Sequence, residues 1–436
     1  MNLPSGVLPR GPLETLRAQP LDASCKGIPL GTTTSLDEIG RHGWNVARGD
    51  LALPVLTLGR RAVASNLATM ATYCARHGAL LAPHGKTTMS PQLFDAQLAA
   101  GAWGITCATP TQAAVMRRFG VPRIVMANEL TEPGALRWIA GELDRDPGFE
   151  FLCLVDSVGT VELMQQVLRE AGARRPVQVL LEVGPAGGRG GVRDREAAFE
   201  VGAAVLAAPN LRLVGVEAFE GVVTGGDAPE DFATLDRFFA LMRAIVVELA
   251  GKNLFETQQV LVSAGGSSYF DRVIAGLSGW DEVAQPVQLV LRSGCYLSHD
   301  SGKYRRLSPL DGRRAPGEDL RLVEGLTGWA AVLSTPEPGV VVLGGGKRDF
   351  SYDLSLPVPK AAHTAEGTTP FGETAEVVKM MDQHIFLRIS AGAPALRPGD
   401  VVSLGISHPC TSFDKNRFIP IIDEDHTVVD GVITFF

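Results

Sequence analysis

Lys86 closes an apolar run, Leu80-Leu81-Ala82-Pro83-His84-Gly85-Lys86-Thr87-Thr88-Met89, and the Ser90-Pro91 that follows opens a helix. That context puts Lys86 at the carboxyl end of a buried strand. Burial there lowers an amine's pKa and favours the neutral form that makes a Schiff base. The competing reading is a lysine that ends a strand and reaches water, because Lys is seldom buried. Four later stretches carry chemistry of their own. Glu182-Val183-Gly184-Pro185-Ala186-Gly187-Gly188-Arg189-Gly190-Gly191 offers one arginine on a flexible loop, suited to an oxyanion or a phenolate, or else a tight turn with an exposed Arg. Ser263-Ala264-Gly265-Gly266-Ser267-Ser268 and Arg292-Ser293-Gly294-Cys295-Tyr296 are glycine turns whose backbone N–H groups can approach a phosphate closely. His408-Pro409-Cys410 pairs two good zinc ligands, and on an extended segment the spacing turns both side chains to one face. Two ligands alone do not make a site, and an ordinary buried cysteine is the competing reading.

The elements that must position these groups follow a regular series. Short apolar runs at 79–83, 104–108, 123–128, 151–156, 177–183, 211–219, 259–264 and 288–292 alternate with stretches of helical periodicity such as 91–100, 109–119, 159–171, 195–207, 231–249 and 269–275. Eight strands alternating with helices predict a parallel sheet closed into a (β/α)8 barrel over residues 51–300, although an open doubly wound sheet fits the alternation too. In a barrel the carboxyl ends of the strands carry the chemistry, and the last two strands are the usual phosphate position. Residues 1–50 read as an irregular extension with one short helix near 36–41. After Asp300 the texture changes to β-hairpins with glycine and proline turns, so 301–436 is expected to be a second, mostly β domain carrying the His408 and Cys410 pair. The strand at 53–58 or the extension before it is a candidate to join it, and Gly344-Gly345-Gly346-Lys347 reads as a hairpin turn.

Composition narrows the class. The chain has 436 residues, 45% hydrophobic and 20% charged, with a net charge of -8 and no long run of one sign. That balance argues against nucleic acid or an anionic membrane as the main partner. No apolar run reaches a membrane span, the amino terminus lacks a targeting pattern, and the six cysteines have no pairwise motif, as in reduced thiols. The expectation is a cytoplasmic protein.

A lysine on the first barrel strand with a phosphate cradle on the last two describes a pyridoxal phosphate site. From about residue 50 onward the sequence resembles the fold-type III pyridoxal phosphate enzymes with an alanine racemase-like barrel, and within them the D-serine dehydratase and D-threonine aldolase family. The motifs that carry the likeness are His84-Gly85-Lys86-Thr87, Gly187-Gly188-Arg189-Gly190-Gly191, Ser263-Ala264-Gly265-Gly266-Ser267, Arg292-Ser293-Gly294-Cys295-Tyr296 and Ser407-His408-Pro409-Cys410. The resemblance implies that Lys86 forms the Schiff base and acts as base at Cα. It further implies that Arg189 contacts the phenolic oxygen, that Gly265, Gly266, Ser267, Gly294 and Cys295 bind phosphate, and that Arg292 faces the pyridine nitrogen. His84 and Tyr296 belong to the same cofactor motifs. The dehydratases' matching His-x-Cys binds zinc, whereas the aldolases show His-x-Asp and prefer harder divalent ions, so Cys410 favours Zn2+ and dehydration over another divalent cation.

The chain departs from the aldolases at Ala218-Phe219-Glu220-Gly221, where they resemble Ala-Tyr-His-Gly, so Glu220 stands as a proton donor, a supporting acid or a solvated loop acid. It departs again at Thr88 and Met89, where His-Lys is frequent, and there it is similar to bacterial proteins described as amino-acid deaminases. The expected function is a lyase that converts a D-3-hydroxy amino acid such as D-serine to a 2-oxo acid and ammonia, working as a homodimer. Retro-aldol cleavage to glycine and an aldehyde, and a non-catalytic pyridoxal phosphate carrier, are the alternatives.

Overall fold

The structure, a computed structural model, describes residues 3–223 and 229–436. It divides into two compact units, one comprising Met1–Met70, Thr87–Ala100 and Cys295–Phe436, the other Ala71–Lys86 and Gly101–Gly294. The expected boundary near residue 300 therefore lies between Gly294 and Cys295. Residues 1–50 and 87–100 pack with the carboxyl-terminal strands.

The first strand, β1 (Val55–Gly59), belongs to the unit with the carboxyl terminus. The next eight, β2 (Leu80–Leu81), β3 (Ile105–Cys107), β4 (Arg123–Glu129), β5 (Glu150–Val155), β6 (Val177–Val183), β7 (Leu211–Ala218), β8 (Val260–Ala264) and β9 (Val287–Leu291), fall on the eight apolar runs read from the sequence. They form one parallel sheet in the order β2-β9-β8-β7-β6-β5-β4-β3. Its ends meet, because His84 and Thr106 make a parallel bridge and Thr106 Oγ1 donates to Ala82 O at 2.6 Å. That closure makes the sheet a barrel and excludes the open alternative. Ala82, Val125, Leu152, Leu154, Leu180, Val214 and Val290 form one buried cluster. Residues from strands around the whole ring can meet only on its inside, where branched and apolar side chains fill the barrel. Truncating one of them, as in Leu154→Ala, removes packing worth about 2–5 kcal/mol.

Strand-to-helix turns in this unit use polar caps. Thr109, Ser157 and Asp194 each accept from a backbone N–H three residues on, at 3.3, 3.2 and 2.9 Å, and so start the helices Pro110–Arg118, Val158–Glu170 and Arg195–Leu206. Each satisfies a donor that the helix itself leaves unpaired, for about 1 kcal/mol.

The other unit is built on a ten-stranded sheet. Its strands are β1, β10 (Leu326–Glu337), β11 (Val340–Gly344), β12 (Val358–Thr364), β13 (Gly367–Pro370), β14 (Ala375–Met380), β15 (His384–Ile389), β16 (Val401–Gly405), β17 (Phe418–Ile422) and β18 (Val428–Ile433). The main path runs β13-β12-β16-β10-β1-β17-β18, with β11, β15 and β14 continuing from β10, and only β1 and β17 pair in parallel. Trp329 is 1% exposed and donates its indole N–H to Thr57 Oγ1 at 2.8 Å, tying β10 to β1. The amino-terminal segment is held by Asp95, whose carboxylate accepts from the N–H groups of Gly6, Val7 and Leu8 at 2.7, 2.8 and 2.8 Å. Among the described residues no helix is long and apolar enough to cross a membrane.

Candidate active site

Lys86 lies in a single 3-10 turn, Gly85–Thr87, directly after β2. It borders a cavity of about 190 Å³ together with His84, Glu129, Glu182, Arg189, Phe219 and Arg292. Burial, with the Lys86 and Arg292 charges behind it, holds the His84 imidazole well below its usual pKa, hence neutral, and its buried Nδ1 has no hydrogen-bond partner among the described residues. Gly294 explains how the turn after β9 reaches this loop, since a Cβ there would sit 2.5 Å from His84 O. Only glycine lets the two backbones meet at that point.

Arg292 is 6% exposed. It donates from Nη2 to Ala218 O at 2.8 Å and ion-pairs with Glu217, leaving its buried Nε–H without a partner among the described residues. A buried, unpartnered donor bordering the cavity suits the lone pair of a pyridine nitrogen, because an unmade hydrogen bond there costs about 1–3 kcal/mol. Arg189 is exposed, with its guanidinium over the Phe219 ring at 4.8 Å, on a loop that Arg193 ties down through Gly190 O and Gly191 O at 2.7 and 2.6 Å.

Glu220 is fully buried and accepts from Gly265 N–H at 3.0 Å and Gly266 N–H at 2.6 Å. Ser293 Oγ donates to the carbonyls of the same two glycines at 3.1 and 3.0 Å. The turn expected to cradle phosphate is thus fixed on both sides, with Gly265 at φ +104. The two N–H groups that sequence reading assigned to phosphate are directed at Glu220, and Ser267 and Gly294 extend the same pair of turns. Glu220 meets no solvent, so the reading as a solvated loop acid is replaced: a buried carboxylate needs donors, and here it has two from the backbone.

Beside these groups stands an acid cluster that sequence reasoning missed. Glu129, Asp156 and Glu182 bring one oxygen each within 4.8 Å of the others. Burial, and then the neighbouring Glu217 and Glu129, push the Glu182 carboxyl up to about 9, so it is protonated at neutral pH. The signal was an acid at or just after each of three consecutive strands, visible only once the strand ends were known to converge.

His408 and Cys410 lie in the other unit, and not on an extended segment as expected. His408 is left-handed at φ 54, Pro409 is helical, and Cys410 opens the short helix Cys410–Phe413. His408 is nevertheless near enough to help lower the Cys410 thiol. His408 Nδ1 is 2.5 Å from Asp353 Oδ2, and Asp353 also accepts from Thr411 Oγ1 at 2.8 Å. Asp300 accepts from His408 N–H at 3.1 Å. Cys410 Sγ lies 3.7 Å from Cys295 Sγ and 3.3 Å from Thr87 Oγ1. Hydrogen bonding from Cys295 outweighs burial and lowers the Cys410 thiol well below its usual value, and His408 and Thr87 add to this. A thiolate with an imidazole oriented by a carboxylate is the donor set of a soft divalent metal, so these residues fit zinc. Tyr296, grouped with the cofactor motifs, is buried and receives a hydrogen bond from Gln97 Nε2 at 3.3 Å.

Three other acids and histidines near these segments have structural partners. Asp423 pairs with Arg60 at 2.7 Å, His299 with Asp311 at 2.9 Å, and His426 packs edge-on to Trp329 at 5.1 Å.

The barrel and the site features together define an alanine racemase-like fold. Residues 59–273 match the alanine racemase N-terminal domain family and residues 325–422 the putative serine dehydratase domain family. The chain is 26% identical to a D-threonine aldolase from Arthrobacter sp over 87% of its own length and 90% of the relative's. It is 28% identical to a 3-hydroxy-D-aspartate aldolase from Paracoccus denitrificans (strain Pd 1222), over 71% and 75%. Among solved structures, D-threonine aldolase from Filomicrobium marinum superposes with a TM-score of 0.75 at 24% identity, covering 90% of this chain and 96% of that one. D-threo-3-hydroxyaspartate dehydratase from Delftia sp. HT23 gives 0.67 at 22% identity, covering 88% and 98%, and a cysteine-to-alanine variant of a D-threo-3-hydroxyaspartate dehydratase is described as metal-free. The chain thus joins an alanine racemase N-terminal domain to a putative serine dehydratase domain, and the proteins it is similar to are named as aldolases and dehydratases of D-3-hydroxy amino acids.

Proposed function

We propose that this protein is a pyridoxal phosphate and zinc dependent lyase that converts a D-3-hydroxy amino acid to a 2-oxo acid and ammonia. The observation that carries the choice is the donor set at residues 408–410, a thiolate beside an imidazole that Asp353 orients, which favours zinc over harder ions. When bound, the cofactor supplies a sink for the electron pair left at Cα, and zinc supplies a Lewis acid that lets the β-hydroxyl leave at neutral pH.

The chain's own residues do the rest. Lys86 would hold the cofactor covalently until the substrate's amine displaces it, and the freed lysine amine would then take the Cα proton. Arg292 offers its unpartnered Nε–H to the ring nitrogen. An arginine there would donate a hydrogen bond without giving up its proton, and so would leave the ring nitrogen neutral and the ring a weaker electron sink. That favours prompt departure of the β-substituent. Arg189 balances the phenolic oxygen. Glu220 is closed off by Gly265 and Gly266 and does not reach a β-hydroxyl as a base.

Two curated relatives are aldolases, which keeps retro-aldol cleavage as the second reading. Product analysis with D-serine, D-threonine and D-phenylserine, with and without a chelator, decides between them. Chelator-sensitive 2-oxo acid and ammonia support dehydration, whereas glycine and an aldehyde replace it with the aldolase. A homodimer, as the resemblance implies, is part of the same proposal and is checked by sedimentation.

A further inference from the structure

We propose that Cys295 is a third protein ligand of the metal, joining His408 and Cys410 in a Cys2His site with its fourth position open to substrate. This rests on the zinc reading of His408 and Cys410. A catalytic zinc site is generally held by three protein ligands with one position left for water or substrate, and two side chains fall one short. The sulfur of Cys295 supplies the difference. Two thiolates on one tetrahedral zinc, with bonds of about 2.3 Å, stand roughly 3.8 Å apart. Cys295 Sγ and Cys410 Sγ stand 3.7 Å apart. They are unbridged, and Cys295 is 4% exposed.

The surroundings suit a thiolate pair. Thr87 Oγ1 lies 3.3 Å from Cys410 Sγ and 3.9 Å from Cys295 Sγ, and Tyr304 reaches Cys295 as well, so hydroxyl groups flank both sulfurs. Such donors orient metal-bound thiolates and moderate their charge. Among the described residues, only the Glu129, Asp156 and Glu182 trio has three ligand atoms within 4.8 Å of one another. The imidazole of His408 is therefore the donor that must close on the ion, while the sulfurs are already spaced for it. With two thiolates and a neutral imidazole the ion's charge is balanced, and the open position favours a hydroxyl oxygen over a second carboxylate. Sequence reading gave Cys295 only a backbone role at the phosphate, and the two roles are compatible because one uses its N–H and the other its side chain.

Cobalt(II) is the probe. The full-length, cofactor-bound protein is stripped with a chelator and titrated with Co2+, and the thiolate-to-cobalt absorption is measured per bound ion. Wild-type protein should show the intensity of two thiolates. Cys295→Ser and Cys410→Ser should each show about half of it, and the double variant none. Zinc affinity of Cys295→Ser, read by competition with a chromophoric chelator, should fall at least about tenfold. Cys25→Ser, buried in the same unit, should change neither. A Cys295→Ser protein with the full band and unchanged affinity would overturn the third ligand while leaving His408 and Cys410 in place. So would a wild-type band of one-thiolate intensity, which needs no variant and covers the case in which substitution prevents folding. No thiolate band in wild-type protein would overturn the zinc reading and this inference together.

Discussion

The barrel mouth and the half-exposed cluster around Cys410 are both polar, yet they hold their charges oppositely. At the barrel mouth, burial raises the carboxyls of Glu182, Glu217 and Glu220 and holds His84 neutral. Around Cys410, hydrogen bonding with Cys295 lowers the thiol. Burial opposes charge on His408 and Asp353, but Cys410 raises the imidazole, and Thr411 and His408 lower the Asp353 carboxyl. The difference is one of arrangement. Burial raises all three, other carboxylates add to it at Glu182 and Glu217, and at Glu220 it acts against two backbone hydrogen bonds. Cys410, His408 and Asp353 alternate in sign along a chain of hydrogen bonds, so each supports the next. A region kept near neutral suits a cofactor that brings its own phosphate and ring charges. An anionic sulfur with an oriented imidazole suits a metal cation.

The largest test of this contrast is Lys86→Ala. It should abolish the visible Schiff-base absorbance and cut turnover by about 10²–10⁴-fold or more, while metal binding at the other cluster stays intact. Loss of the metal in this variant would mean that the two regions are not separable. Asp353→Asn should come next. It removes the charge that orients His408, and zinc affinity in chelator competition should fall about 10–100-fold with cofactor absorbance unchanged. Unchanged zinc affinity would show that the imidazole needs no orientation. Glu220→Gln should be milder, because one amide oxygen can replace only one of the two acceptors of Gly265 and Gly266. The orphaned N–H costs about 1–3 kcal/mol, read as a lower urea midpoint. Phosphate retention should suffer more than ring binding, so affinity for pyridoxal phosphate should drop relative to unphosphorylated pyridoxal.

The two regions also differed in how much of them could be read from the chain. Lys86, Gly265, Gly266, Arg292 and Gly294 each follow a strand, and barrel topology alone brings strand ends together, so local pattern was enough to nominate them. The pair His408 and Cys410 was legible for its residue types, but the geometry assumed for it was not, because Pro409 turns the backbone into a helix start. Asp353 and the side chain of Cys295 are 55 and 115 positions from their partners. No periodicity links residues so far apart. Glu217 was hidden differently, as a charged residue inside the strand β7, where alternation alone predicts an apolar neighbour or solvent.

Glu182 gives the smallest effect, opposite in sign to that of a buried histidine. Its carboxyl lies at about 9 in the folded chain against 4.5 when free, so between those values the folded protein binds more protons than the unfolded one. Stability from this group is therefore present below about pH 4.5 and is lost as pH rises towards 9. Across that window the change should be about 1–2 kcal/mol once discounted for the water that still reaches the cavity. His363 in the other unit runs the opposite way. Burial lowers its imidazole to about 4, so its contribution is full above pH 6.5 and is lost as pH falls through 4. Glu182→Gln should flatten the alkaline limb of the urea midpoint against pH and leave the acid limb unchanged, whereas His363→Gln should do the reverse. If both substitutions flattened the same limb, burial would not be what keeps Glu182 protonated and His363 neutral.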